Sequence, residues 1–257
     1  VTGDWRQVLG FAIALSIGGG IAIAIEEVAW MMRRRRCTRA ALREMLVSLS
    51  TLPPNIAVSL ALAGGWVFVY SQIQRLTPFS IATSLGMLVP ALLLVDLCYY
   101  LEHRAAHRWR WLWMLYHAVH HSSPDYTVAT AYRVSFANQL IAPLFYLPCV
   151  LAGFDPVLVV GLQVFAIHYQ AWVHTRAIGR LPLLDAFFNT PANHRMHHDI
   201  AMPERGVNFG GIFVLWDRLF GTYAAPRFVR GFGIAGERAP ANWHELYTLP
   251  FAARRED

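Results

Sequence analysis

Long apolar runs separated by short polar stretches dominate the chain, and strand-like alternation is not its pattern. A membrane-crossing helix needs about 20 mostly apolar residues. Val8–Ile25 meets that requirement and continues into Glu26 and Glu27 at an expected interface. Asn55–Ile73 and Phe79–Tyr100 are the next two runs, and Val157–Val173 is the last. Between them, Asn138–Gly153 is apolar but short, reaching only about 24 Å as a helix. Gly153-Phe154-Asp155-Pro156 reads as the turn that joins it to the last run. The pattern predicts an all-α integral membrane helical bundle of about four spans, the short run and its successor forming a shallow hairpin. No repeat or linker divides the chain, so residues 1–257 are expected to form a single membrane-embedded domain.

Composition points the same way. The chain is 56% hydrophobic and only 15% charged, against roughly 25% charged in soluble domains. All 22 basic residues are arginine. That excludes lysine chemistry such as Schiff bases and P-loop phosphate binding. The net charge of +6 could suit nucleic acid, but the arginines flank apolar segments, which fits a membrane surface and no nucleic-acid partner. The arginine block 33–36, with Arg39 and Arg43, orients that end toward the cytoplasm by the positive-inside rule. Following the runs from there returns every histidine group to the same face, as a cytoplasmic histidine-rich helical cap. Cys37, Cys98 and Cys149 form no C-x-x-C pair, so a thiolate metal site is not expected.

Histidine supplies the chemistry. Ten of the 11 histidines fall between His103 and His198. They form H-x-x-x-H at His103 and His107, and H-x-x-H-H at His117, His120 and His121. A second H-x-x-H-H holds His194, His197 and His198. His168 and His174 lie near the end of the last run, and His244 stands alone. Residues three and four apart share a helix face, so each group can aim several rings at one point. Adjacent histidines diverge by about 100° around a helix, so one ring of an H-H pair can reach one ion while its neighbour reaches another. Eight to ten imidazoles exceed the needs of one ion and suit two, each with four to five ligands of a kind that binds iron, zinc, copper or nickel. Asp96, seven residues before His103 on roughly the same helix face, is a candidate to orient the rings from behind the ligands. Asp125, Asn193, Asp199 and Asp217 are weaker candidates.

These motifs resemble the fatty acid hydroxylase and sterol desaturase superfamily of integral membrane di-iron enzymes. The flanks "DLCYYLEHRAAH", "HAVHHSSPDYTVATAYR" and "HTRAIGRLPLLDAFFNTPANHRMHH" resemble its alkylglycerol monooxygenase-like branch. "NFGGIFVLWDRLFGTY" is similar to the family's closing segment, and the resemblance covers a catalytic core of about residues 96–223. It implies oxygen-dependent hydroxylation, or desaturation, at an unactivated C–H bond of a lipid. It implies two non-haem irons, with zinc able to occupy the same ligands on purification. The implied catalytic ligands are His103, His107, His117, His120, His121, His174, His194, His197 and His198, and His168 is counted among the metal candidates. No dinucleotide fingerprint or haem domain accompanies them, so electrons are expected from an external donor or separate redox partner. The alternatives are a membrane metal-binding or transport protein, a bis-histidine haem protein, and a di-zinc hydrolase. The first requires ligands near the bilayer midplane. The second requires facing single histidines deep in the spans, and the third usually needs only three protein ligands per ion.

Overall fold

The computed structural model describes residues 4–201 and 206–252. It is all-α, with four helices long and apolar enough to cross a membrane: Trp5–Arg33, Arg39–Gln74, Leu85–Arg108 and Pro156–Val173. The principal helices are α1 (Trp5–Arg33), α2 (Arg39–Leu49), α3 (Leu52–Gln74), α4 (Leu88–Arg108) and α5 (Pro156–Val173). Four shorter ones follow: α6 (Pro182–Asp185), α7 (Pro191–His197), α8 (Leu215–Leu219) and α9 (Trp243–Ala252).

Local chemistry sets the boundaries. The Asp4 side chain caps α1 by accepting from Arg6 N at 3.0 Å, and Thr38 caps α2 by accepting from Ala41 N at 3.1 Å. Asp155 caps α5 by accepting from Val157 N and Leu158 N at 2.8 and 3.1 Å, with Pro156 at the first helical position. Gly153 makes the preceding turn at φ +98°, and a Cβ there would lie 2.8 Å from the Phe79 carbonyl carbon. The run 138–153 is broken rather than straight. Asn138–Ile141 is α-helical, Ala142–Tyr146 is 3-10, and Leu147–Leu151 is α-helical again. Pro143 and Pro148 lie at the junctions, where each removes a backbone donor.

The bundle packs around Leu9, Tyr70, Val95, Cys98, Leu158 and Leu162, all buried. Its outer face carries exposed Phe11, Leu15, Leu60, Phe68 and Val89. In water such a surface would be a liability; in a bilayer it is the solvated side. Helices α1 and α5 approach closely through glycine: a Cβ on Gly161 would lie 2.6 Å from Leu9 Cδ2, and one on Gly20 3.4 Å from Ala171 Cβ. The pairs 9 with 161 and 20 with 171 advance together, so the two helices run parallel. The arginine block after α1 therefore sits at the same end of the bundle as His174 after α5. Glu27 of α1 confirms the register, accepting from Val128 N at 2.6 Å and from the Thr175 hydroxyl at 2.7 Å.

Candidate metal centre

Nine imidazoles converge at the end of the bundle where α4 and α5 terminate. One group is His103, His107, His117, His121 and His197; the other is His120, His174, His194 and His198. Within each group the prospective ligand atoms all lie within 4.8 Å of one another. The groups adjoin, with the rings of His121 and His198 stacked at 4.3 Å between centroids.

The sorting follows helical angles. Pairs four apart stay together: 103 with 107, 117 with 121, and 194 with 198. The residue at the third position crosses to the other group: His120 leaves the first, and His197 leaves the second. Positions three and four along a helix differ by about 100°, enough to send neighbouring rings to different groups. The second box is reached through a π-helical turn, Trp113–His117, a distortion often found at functional sites.

Proton placement shows what the rings are prepared to hold. Nδ1–H of His103 donates to the Phe209 carbonyl at 2.9 Å, that of His197 to Val207 at 2.8 Å, and that of His174 to Gln170 at 2.8 Å. With Nδ1 carrying the proton, each Nε2 is a lone pair. Yet Nε2 of His103 faces Nε2 of His197 at 3.0 Å, where neither neutral ring can donate. The other facing pairs are 103 with 117 at 3.1 Å, 107 with 117 at 2.9 Å, 117 with 121 at 3.2 Å and 121 with 197 at 3.0 Å. In the second group Nε2 of His174 lies 3.2 Å from that of His120 and 3.0 Å from that of His194, and buried His198 Nε2 has no hydrogen-bonding partner. Two ligands at right angles on an ion about 2.1 Å away would stand roughly 3.0 Å apart. Lone pairs aimed at one another at that spacing, in a buried site, fit a cation between them.

Burial keeps the rings neutral, as ligands must be. It lowers the pKa of His120 to about 4 and that of His197 to about 3. His117, His121, His174, His194 and His198 are held well below the ordinary range, by burial first and by neighbouring imidazoles second.

Two of the carbonyls that receive the Nδ1 protons, those of Val207 and Phe209, belong to a segment whose backbone N–H groups are held by two carboxylates. Asp217 accepts from Phe209 N and Gly210 N, each at 2.8 Å. Asp96 accepts from Ile212 N at 2.7 Å, Phe213 N at 3.2 Å and Trp216 Nε1 at 3.0 Å. Asp96 thus holds the Trp216 ring and the backbone at 212–213, which begins three residues beyond the Phe209 carbonyl, and makes no described hydrogen bond to a histidine. Glycine permits the close fit: a Cβ on Gly211 would lie 2.8 Å from Asp96 Oδ1, and one on Gly210 only 2.2 Å from the Phe213 carbonyl.

His168 is not in either group. It precedes His174 by six residues, about 240° around the helix axis, and its Nδ1 lies 2.7 Å from the Val164 carbonyl. His244 is exposed and far along the chain. Asp125 pairs with Arg176 at 3.1 Å, and Asp199 accepts from Ala201 N and Arg230 N, each at 3.1 Å. Asn193 donates to the Asp185 and Phe188 carbonyls at 2.9 Å.

Other supports were not foreseen. Fully buried Arg133 pairs with Glu44 and donates to the Val119 carbonyl at 3.2 Å, next to His120. Tyr116 donates to Glu102, joining the residues that precede His117 and His103. Glu27 holds Thr175, beside His174. A carboxylate in an apolar run, as at Glu27, was the available signal; the carbonyls of Val207 and Phe209 offered none, because every residue has one.

Comparison with known proteins adds to this geometry. A protein-family model described as fatty acid hydroxylase matches residues 88–222. Alkylglycerol monooxygenase of Danio rerio is 42% identical over 134 residues, covering 52% of this chain and 30% of the relative. The Homo sapiens protein of that name is 35% identical over 164 residues, covering 62% of this chain and 36% of the relative. Ornithine lipid hydroxylase OlsE of Rhizobium tropici is 31% identical over 139 residues, covering 54% of this chain and 42% of the relative. The chain thus spans about a third of the length of the alkylglycerol monooxygenases it matches. No solved structure matches.

Proposed function

The chain belongs to the fatty acid hydroxylase family, and from that premise we propose that it is a membrane-bound, dioxygen-dependent lipid hydroxylase or desaturase with two non-haem irons. The observation that carries this reading is the pair of adjoining imidazole groups whose lone pairs face one another. His103, His107, His117, His121 and His197 would hold one iron, and His120, His174, His194 and His198 the other. When bound, such a pair supplies activation of dioxygen and the oxidising power to attack an unactivated C–H bond.

The protein's own residues do the rest. The carbonyls of Phe209, Val207 and Gln170 hold three rings in one tautomer and one orientation. Buried walls exclude water that would quench a strong oxidant. The bundle keeps a lipid substrate in its own solvent until it reaches the site. We assign the centre to the cytoplasmic face, because the arginine block after α1 shares its end of the bundle. An external electron donor or separate redox partner completes the cycle, and the arginine-rich face suits an acidic one. On this reading residues 1–257 act as one catalytic unit with its core at 96–223.

The test is metal analysis of the purified protein together with product analysis under isotopically labelled dioxygen. Two non-haem irons and label in an oxidised lipid are expected, and His197→Ala should lose both an ion and the product. A Soret band, or a hydrolysed lipid formed with zinc alone, would overturn the proposal.

A further inference from the structure

Beside the metal centre, the short helices carry apolar side chains that the packed core does not use. Leu183 is 77% exposed, Phe187 62% and Leu219 66%; Leu184, Leu215 and Phe220 are exposed as well. These residues belong to two segments that lie side by side. Phe188 and Phe213 form an antiparallel bridge, Val214 N donates to the Phe187 carbonyl at 3.1 Å, and Asn189 N donates to the Ile212 carbonyl at 2.7 Å. They make one surface rather than scattered exposed residues.

The depth of that surface decides what covers it. Asp96 holds Ile212, Phe213 and Trp216, and it lies twelve residues before the end of α4, about 18 Å along the helix axis. Tyr169 donates to the Asn189 carbonyl at 2.9 Å from a point four residues, about 6 Å, before the end of α5. Both helices are long and apolar enough to span a bilayer. The two segments are thus fastened to the spans well inside the ends of those helices. Asp96 precedes His103 by seven residues, so the anchor at Ile212 and Phe213 stands about 10 Å along α4 to the bilayer side of the first metal ligand. It is continuous with α4: the ring of Phe220 stacks on Tyr100 at 5.3 Å, and the neighbouring Leu101 faces outward. Arginines border it. Arg180 lies 3.9 Å from Asp185, and Arg218 covers the Tyr223 ring at 4.0 Å. Their long stems let a guanidinium reach lipid phosphates while the apolar neighbours stay in hydrocarbon.

The geometry points to a re-entrant flank: residues 182–188 and 212–220 are immersed among the acyl chains of the bilayer, although neither segment spans it. The occupant of this surface is lipid. The metal centre then stands behind a lipid-wetted wall rather than on a stalk in water.

The test uses the full chain in nanodiscs of phosphatidylcholine and phosphatidylglycerol. Nitroxides are placed at Leu183→Cys and Leu219→Cys in a Cys37→Ser background, with Leu60→Cys as a reference on the outer face of α3 and Glu237→Cys as a reference in water. Collision with dioxygen relative to a water-soluble nickel complex should match the α3 reference at both sites. Values equal to the Glu237→Cys reference overturn the proposal. So does protection from both reagents, which would mean that a second copy or another protein covers the patch. Unsubstituted protein supplies an independent measure: phospholipid with a photoreactive diazirine in its acyl chain should label peptides 181–190 and 212–220. Labelling of α3 without labelling of these peptides would overturn it equally.

Discussion

Replacing Asp96 with asparagine tests whether the closing segment positions the metal ligands. The native carboxylate receives three N–H groups, from Ile212, Phe213 and Trp216, in a fully buried site. Asparagine keeps one oxygen and presents an amide NH2 where an acceptor was needed. One or two charge-assisted bonds are lost, each worth about 1.5–3 kcal/mol, so global stability should fall by roughly 2–4 kcal/mol. The local effect is the more informative one. Ile212 lies three residues from Phe209, whose carbonyl fixes His103. Loss of such an outer partner commonly weakens metal binding about 10–100-fold. Asp217 still holds Phe209 N and Gly210 N, which places Asp96→Asn at the lower end, about tenfold or roughly 1.4 kcal/mol. Chelator competition on the loaded protein in detergent, with metal counted by mass spectrometry, reads this directly. Loss should begin in the group containing His103, so that stoichiometry falls from two toward one, and Asp217→Asn should deepen it. Asp125→Asn, which breaks only the half-exposed pair with Arg176, should change nothing. Wild-type chelator resistance in Asp96→Asn would refute the argument that the 207–213 backbone sets the rings.

His168→Ala should retain both ions and wild-type chelator resistance, because its ring belongs to neither group and its Nδ1 meets the Val164 carbonyl; loss of an ion would undo the assignment of nine ligands. Gly211→Ala places a methyl 2.8 Å from both Asp96 Oδ1 and Tyr99 Cδ1 and should lower the thermal midpoint in the same direction as Asp96→Asn, whereas Gly179→Ala, with nothing within 4 Å, should not. Acid should destabilise the metal-free protein. His120 and His197 have folded pKa values of about 4 and about 3, below the ordinary 6.5, so the unfolded chain binds protons that the folded chain refuses. The stability they confer is complete above pH 6.5 and is lost as pH falls toward those values; a thermal midpoint unchanged between pH 7 and 4 would contradict it.

The spans were legible in the sequence because length and apolarity are local properties that any bilayer imposes in the same way. α1 and α5 appear where the runs predicted them, and α5 begins at the expected Asp155-Pro156 turn. The short run 138–153 was also visible, although its division into three pieces, with Pro143 and Pro148 near the junctions, was not expected. Helix α2 was not expected: its 11 residues fall short of a spanning run and its apolar positions are interrupted by Arg43, Glu44 and Ser48, and it is held from outside by the pair of Glu44 with buried Arg133.

By itself, the sequence determined that three histidine boxes exist and that neighbouring histidines must diverge, since helical spacing alone dictates both. Only the tertiary structure decided which rings come together in each group. His197 meets His103 across 94 residues of chain, and no local rule contains that distance. It also decided that Asp96 meets the backbone at 212–213 rather than a ring, and that the carbonyls of Val207 and Phe209 lie against imidazole Nδ1 atoms. A carbonyl has no residue identity to read. Its role comes from where the fold places it, and here two buried carboxylates and a pair of glycines do the placing.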